Sequence, residues 1–170
     1  MNILVGEKPS LYIENGKKDY DKLIKVVKES LGEEVSTVVV ASHFGNSAIQ
    51  IAESLGKGSK VVSVSEFKYS DDVKKRMKKL KMSLMEKADL PIQDYREKRD
   101  SLLKVGVGVK AAMEVSVIAH ENQLVEGDFI SIAGGGRGFD TALLVSSSES
   151  DERTDPIERV VIKEYLALPK

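Results

Sequence analysis

Val35-Ser36-Thr37-Val38-Val39-Val40-Ala41-Ser42-His43-Phe44-Gly45-Asn46-Ser47-Ala48 is the stretch that sets the fold class. Val35 to Ala41 is β-branched and apolar on both faces, the pattern of a central strand buried from both sides. Ser42 to Asn46 reads as a turn around Gly45, and Ser47 to Leu55 as a helix with Ile51, Ala52 and Leu55 inward and Gly56 as its stop. The same alternation continues outward on either side. Leu11-Tyr12-Ile13 is a short strand ending at the turn Glu14-Asn15-Gly16. Tyr20, Leu23, Ile24, Val27 and Leu31 follow helical spacing up to Gly32. Lys60 to Val64 is a further strand, and Asp71 or Asp72 opens a third helix carrying Val73, Met77, Leu80 and Leu84 on one stripe. Met82 to Met85 also reads as a strand following a helix that ends near Lys79. Arg96 to Leu103 is a short helix, and Gly108 to His120, apolar nearly all round, a buried one. Phe129 to Ala133 and Thr141 to Val145 are strands, Ser146 to Glu152 a polar loop, and Arg159 to Tyr165 an edge strand. Strand–helix alternation predicts a single domain, 1–170, of α/β class: three layers, α/β/α, around a mostly parallel sheet. Ligands of such sheets sit at the carboxyl ends of the strands, where the turns after Ile13, Ala41 and Ala133 fall.

Composition narrows the function classes. Of 170 residues, 41% are hydrophobic and 31% charged, as in a soluble globular chain. Lys plus Arg is 26 against 27 for Asp plus Glu, a net charge of -1 that gives no global pull toward nucleic acid or an anionic membrane. There is no cysteine, so disulfides, thiolate metal sites and cysteine nucleophiles are excluded. The only histidines, His43 and His120, are too few for a histidine-rich metal site. The start Met1 to Lys8 lacks a signal-peptide pattern, and no apolar run approaches the ~20 residues of a membrane span. These features predict a cytoplasmic protein.

Two segments carry candidate chemistry. In Ile132-Ala133-Gly134-Gly135-Gly136-Arg137-Gly138-Phe139-Asp140-Thr141-Ala142, four glycines in five positions bare the backbone between two strands. Such a loop either presents main-chain N–H groups to an anion or is a ligand-free glycine hairpin. The turn from Ser42 to Ser47 enters a helix, where unpaired amides and a partial positive charge suit a phosphate. There Gly45 allows close approach and the Ser42 and Ser47 hydroxyls add donors; a bulky residue at Gly45 is expected to abolish binding and leave the empty fold intact. The competing reading is that Asn46 or Ser47 only caps the helix. His43 is a base, a phosphate contact or a ring donor, or mere surface decoration. Glu114, inside an apolar helix, needs a partner, either a ligand hydroxyl or local backbone N–H groups. Asp140 closes the glycine loop and reads as satisfying its amides. Lys74, Lys75, Arg76, Lys78, Lys79 and Lys81 form one basic face, read as solvated because no aromatics interleave. No Walker lysine follows Gly45, and no complete dinucleotide fingerprint opens a helix.

Together these residues resemble a known family, the archaeal stand-alone proteins similar to the C-terminal domain of pyruvate kinase. The matching stretches are Val39-Val40-Ala41-Ser42 with Gly45-x-Ser47-Ala48, Gly108 to Glu114, Ile132 to Ala142, and Ile162-Lys163-Glu164 with Leu168-Pro169. The resemblance implies a three-layer α/β/α domain in which Ser42, Gly45, Asn46 and Ser47 hold a ligand phosphate. It implies that Gly135, Gly136, Arg137 and Gly138 line the same cleft, with Asp140 and Thr141 shaping the loop. The implied cofactor is flavin mononucleotide (FMN), and the implied role that of a phosphorylated-ligand binder. A flavin-dependent oxidoreductase and a sugar-phosphate-sensing regulatory module are the alternatives. Nothing resembles the catalytic barrel of pyruvate kinase, so that activity is not expected. The family's first turn has Glu-Asn-Thr, whereas this chain has Glu14-Asn15-Gly16-Lys17-Lys18-Asp19, with Lys17 or Lys18 supplying charge in place of the threonine hydroxyl. By analogy with the family, the Arg159–Tyr165 segment would pair two copies into a homo-oligomer.

Overall fold

The computed structural model describes residues 8–148 and 155–170. Its elements run β1 (Leu11–Ile13), α1 (Tyr20–Ser30), β2 (Thr37–Ala41), α2 (Asn46–Leu55), β3 (Lys60–Val64), α3 (Asp71–Lys79), β4 (Ser83–Met85), α4 (Arg96–Val105), α5 (Val107–Glu121), β5 (Gly127–Ala133), β6 (Thr141–Ser147), a short 3-10 turn (Pro156–Arg159) and β7 (Val160–Pro169). The seven strands form one sheet in the order β1-β7-β6-β5-β2-β3-β4. All pairings are parallel except the two made by β6. This is an α/β protein with a mixed, mostly parallel sheet.

Strand residues alternate between two cores. Val39, Val62 and Val64 pack with α4 and α5 on one face. Val38, Val40, Val61, Ile130 and Ile132 pack with α1 and α2 on the other. Val38, Val39 and Val40 are fully buried, which is why β2 shows no polar alternation; each contributes about 1.5–3 kcal/mol by leaving water. Helix α5 is buried along most of its length because α4 covers the side turned away from the sheet. It sits so close to β6 that a Cβ on Gly108 would lie 2.2 Å from Thr141 Oγ1.

The third helix ends at Lys79, so Leu84 lies on strand β4 rather than on the helical stripe with Val73 and Met77. A second correction concerns Arg159–Tyr165. That segment belongs to β7, which lies inside the sheet with β1 on one side and β6 on the other. The alternating pattern suggested an edge, and it reflects one face packed into the core, with Val160 and Ile162 buried, and one turned outward, with Val161 half-buried and Lys163 exposed. The sheet edges are β1 and β4, and β1 pairs only with Ala167–Pro169, so among the described residues Val160 to Glu164 meet a strand, β6, on one side. The stretch read as a polar loop from Ser146 overlaps the end of β6, and its residues 149–152 lie outside the described residues, as do residues 1–7 of the expected N-terminal reading. No helix among the described residues is long and apolar enough to cross a membrane.

From β2 the chain continues to β3 on one side, and on the other side of β2 it later enters β5 and moves away to β6. Connections diverge here, which opens a crevice above the carboxyl ends of β2 and β5.

Candidate functional site

A cleft of about 520 Å³ occupies this crevice. Three turns line it: Gly16 and Lys17 after β1, Ala41 to Phe44 with Asn46 and Ser47 after β2, and Gly134, Gly136, Gly138 and Phe139 after β5. Tyr20 of α1 and Gln50 of α2 complete the wall.

The turn after β2 enters α2 through Gly45, whose φ of 89° places it in the left-handed region. Glycine offers no side chain to cap the helix, and neither Asn46 nor Ser47 caps it either, because both lie inside its first turn. The Ser42 hydroxyl accepts from Gly45 N at 3.1 Å and lies 2.7 Å from the Ser47 hydroxyl. The first protein acceptor of the helix serves Ile49 N, which donates to Gly45 O. The amides of Asn46, Ser47 and Ala48 have no acceptor among the described residues, and neither do those of His43 and Phe44. Five main-chain donors at a helix N-terminus make a local positive field suited to an anion.

The glycine loop closes the β5–β6 hairpin, with Ala133 opposite Thr141 and Asp140 N donating to Ala133 O. Its residues alternate in direction. Gly134, Gly136 and Gly138 face the cleft. Gly135 faces α5, 3.8 Å from Val107 Cβ in the direction its own Cβ would take. The bareness of the loop is mostly a packing requirement: a Cβ on Gly134 would lie 2.0 Å from Gly138 O, and one on Gly16 would lie 2.7 Å from Arg137 O. The first turn and the glycine loop therefore press backbone against backbone.

The turn after β1 is satisfied internally. Asn15 Oδ1 accepts from Lys17 N and Lys18 N at 3.0 and 3.1 Å. Asp19 Oδ2 accepts from Glu14 N and Asn15 N, and the bonds from Asn15 and then Glu14 hold its carboxyl below the usual carboxylate value. Those four amides are unavailable to a ligand, so this turn offers charge through the Lys17 ammonium. Tyr20 is pinned to α2 by a 2.7 Å hydrogen bond with Ser54, and burial raises its phenol above the ordinary range.

An aromatic rim flanks the anion end. Phe44 and Phe67 are 64% and 42% exposed and stack with centroids 5.8 Å apart, and the His43 ring stands edge-on to Phe67 at 5.2 Å. Half-exposed phenylalanines beside a cleft present a flat apolar surface to a bound ring. On the outer side Arg76 donates to Asn46 Oδ1 at 3.4 Å, which places one cation of the basic helix at the rim.

Of the residues singled out in the sequence, the cleft brings together Ser42, His43, Asn46, Ser47, Gly136 and Gly138. It does not include Gly45, Glu114, Gly135, Arg137, Asp140 or Thr141. Gly45 turns toward α3, where a Cβ would meet Val73 Cγ1 and Met77 Cε at 2.6 Å each. The expectation that a bulky residue there would spare the empty fold is thus overturned. Arg137 is exposed and does not line the cleft. The Asp140 carboxylate accepts from the Thr141 hydroxyl at 2.8 Å and lies against Gly108 of α5; among the described residues no loop amide donates to it. Of the two lysines offered at the first turn, Lys17 lines the cleft; missed by the sequence reading were Tyr20, Phe44 and Gln50 of the wall and Phe67 of the rim. Phe44 carried a usable signal, a large aromatic inside a polar glycine turn.

Glu114 is a buried residue of α5, on the opposite face of the sheet from α1 and α2. It accepts from Ile92 N at 2.9 Å and pairs with Lys110 at 3.0 Å, tying the segment before α4 to α5. Glu114→Ala will therefore cost about 2–3 kcal/mol in chemical denaturation, from an unpaired Ile92 amide and a part-buried lysine, while binding in the cleft stays unchanged. Among the described residues no group of three or more His, Asp or Glu side chains is gathered as a metal ion requires.

Searches of protein-family models and of curated proteins return no match to this chain.

Proposed function

We propose that this chain is a cytoplasmic binding protein for a phosphorylated small molecule that carries a planar ring, with FMN as the leading candidate. One observation carries the reading. Five amides at the start of α2 have no acceptor among the described residues, and four of the residues that carry them, His43, Phe44, Asn46 and Ser47, line the same cleft as the glycine loop and Lys17. A phosphoryl group there would accept from the main chain and from the Ser47 hydroxyl, and Lys17 would offset its second charge. The exposed Phe44–Phe67 pair favours a ring-bearing ligand over a plain sugar phosphate. The reading fits a pyruvate kinase C-terminal domain-like fold, which we propose on the resemblance of Val39 to Ala48, Gly108 to Glu114 and Ile132 to Ala142. No pyruvate kinase activity is proposed.

Titration with FMN tests the reading. Flavin fluorescence should quench saturably, and unlabelled inorganic phosphate at high concentration should compete. Reduction of bound flavin by NADH at a catalytic rate would extend the role to an oxidoreductase. Thermal stabilisation by sugar phosphates without any FMN binding would replace the ring-bearing ligand by a sensed sugar phosphate. Failure of FMN, sugar phosphates and inorganic phosphate alike to bind would remove the phosphate reading.

A further inference from the structure

The turn that faces the cleft is gripped from behind. Ser42 O accepts from the Tyr69 hydroxyl at 3.2 Å, and His43 O accepts from the Ser65 hydroxyl at 2.8 Å. Gly45 O is taken by Ile49 N. A carbonyl only accepts, so the Tyr69 proton goes to Ser42, and Ser63 must donate to Tyr69 Oη across their 2.7 Å contact. Tyr69 is 1% exposed, and its ring packs under Gly45. Burial pushes its phenol up to about 12, so it remains a neutral donor at any physiological pH. Ser65 is likewise buried, and its oxygen accepts from Phe67 N at 2.9 Å, which links the grip to the aromatic rim.

In a planar trans peptide the carbonyl of one residue and the amide of the next point in opposite directions. Holding Ser42 O and His43 O toward β3 and α3 therefore turns the amides of His43 and Phe44 the other way. Those are two of the five donors without an acceptor among the described residues, and both residues line the cleft. A phenylalanine would fill the space of Tyr69 as well, so packing alone does not require the hydroxyl.

We propose that Tyr69 and Ser65 are positioning residues for the anion site, aiming the His43 and Phe44 amides at a bound phosphoryl group by fixing the carbonyls of Ser42 and His43. This rests on the phosphate reading above. Neither side chain touches the ligand; both act through the turn.

Titration with inorganic phosphate, followed by amide proton–nitrogen correlation spectra, tests it on the full chain. In the wild type the His43 and Phe44 amides should move on phosphate addition. Tyr69→Phe and Ser65→Ala should each weaken phosphate about tenfold, the scale of one misdirected hydrogen bond to a charged group. Val117→Ala, a core truncation within α5, should lower the thermal midpoint and leave phosphate affinity unchanged, which separates aiming from stability. Should Tyr69→Phe fail to fold, Ser65→Ala carries the test. Binding within about twofold of wild type in the folded variants, or a wild-type response that omits both amides, overturns the positioning role while the phosphate reading stands. A wild type that binds neither phosphate nor FMN overturns both.

Discussion

Replacing Gly45 with alanine will lower the thermal midpoint of the ligand-free protein by roughly 5–15 °C. Two costs combine. Left-handed backbone is unfavourable for any residue with a Cβ, by about 1–2 kcal/mol, and Gly45 has φ 89°. The added methyl would also lie 2.6 Å from Val73 Cγ1 and Met77 Cε. Met77 can swing its terminal methyl aside, but Val73 is β-branched and stiff, so helix α3 itself has to move. Overpacking of this kind costs about 1–3 kcal/mol. Gly58→Ala separates the terms: Gly58 has φ 106° and open space around its Cβ direction, so it suffers the backbone cost alone. The Gly45 variant should lose clearly more than the Gly58 variant in thermal unfolding. Equal losses would mean that α3 does not constrain the turn.

Ser47→Asp will abolish anion binding and leave the empty protein as stable as before, or slightly more so. Ser47 is the second residue of α2, and its hydroxyl sits 2.7 Å from that of Ser42. A carboxylate there can accept from the Ser42 hydroxyl and favours the helix N-terminus by about 0.3–1 kcal/mol. The same charge lies within a few ångströms of an incoming phosphoryl group. Like charges ~4 Å apart repel by about 4 kcal/mol at an effective dielectric of 20, so phosphate or FMN affinity should fall at least a hundredfold. Calorimetric unfolding and FMN titration of one preparation measure both halves. Retained affinity would place the anion elsewhere in the cleft. Together the two variants dissociate fold from site: Gly45→Ala damages the empty protein, and Ser47→Asp damages only binding.

Much of the architecture was legible in local patterns. The run Val38-Val39-Val40 announced a strand buried on both faces, and Asn15-Gly16, Gly45 and the Gly134–Gly138 loop marked the turns at the strand ends. The Ser42–Ser47 turn and the glycine loop do meet in one cleft, as parallel strands with their carboxyl ends together require. Roles within the site were harder to read. Gly45 looked like an approach path for a ligand because a glycine shows only that a side chain is absent, and what would fill its place belongs to α3, more than twenty-five residues later. The family resemblance implied that Arg137 lines the cleft, yet the loop contributes Gly134, Gly136 and Gly138 to its wall and leaves Arg137 exposed. Glu114 drew attention as a carboxylate in an apolar helix, and its partner Ile92 N precedes it by 22 residues in a stretch with no strong periodicity.

Element type and the position of turns were already written in the order of residues, because apolar periodicity, β-branching and glycine act over a few neighbours. The same order implied a sheet with its ligand-bearing ends on one side. Strand neighbours were a matter for the assembled molecule: β7 lies between β1 and β6 in the sheet order, yet β1 covers only its last three residues, since hydrogen-bonding edges are filled by segments far away in the chain. The identity of the free amides is settled the same way. Lys17 N and Lys18 N lose their freedom to Asn15, while His43 N and Phe44 N keep theirs because Tyr69 and Ser65 hold the carbonyls behind them.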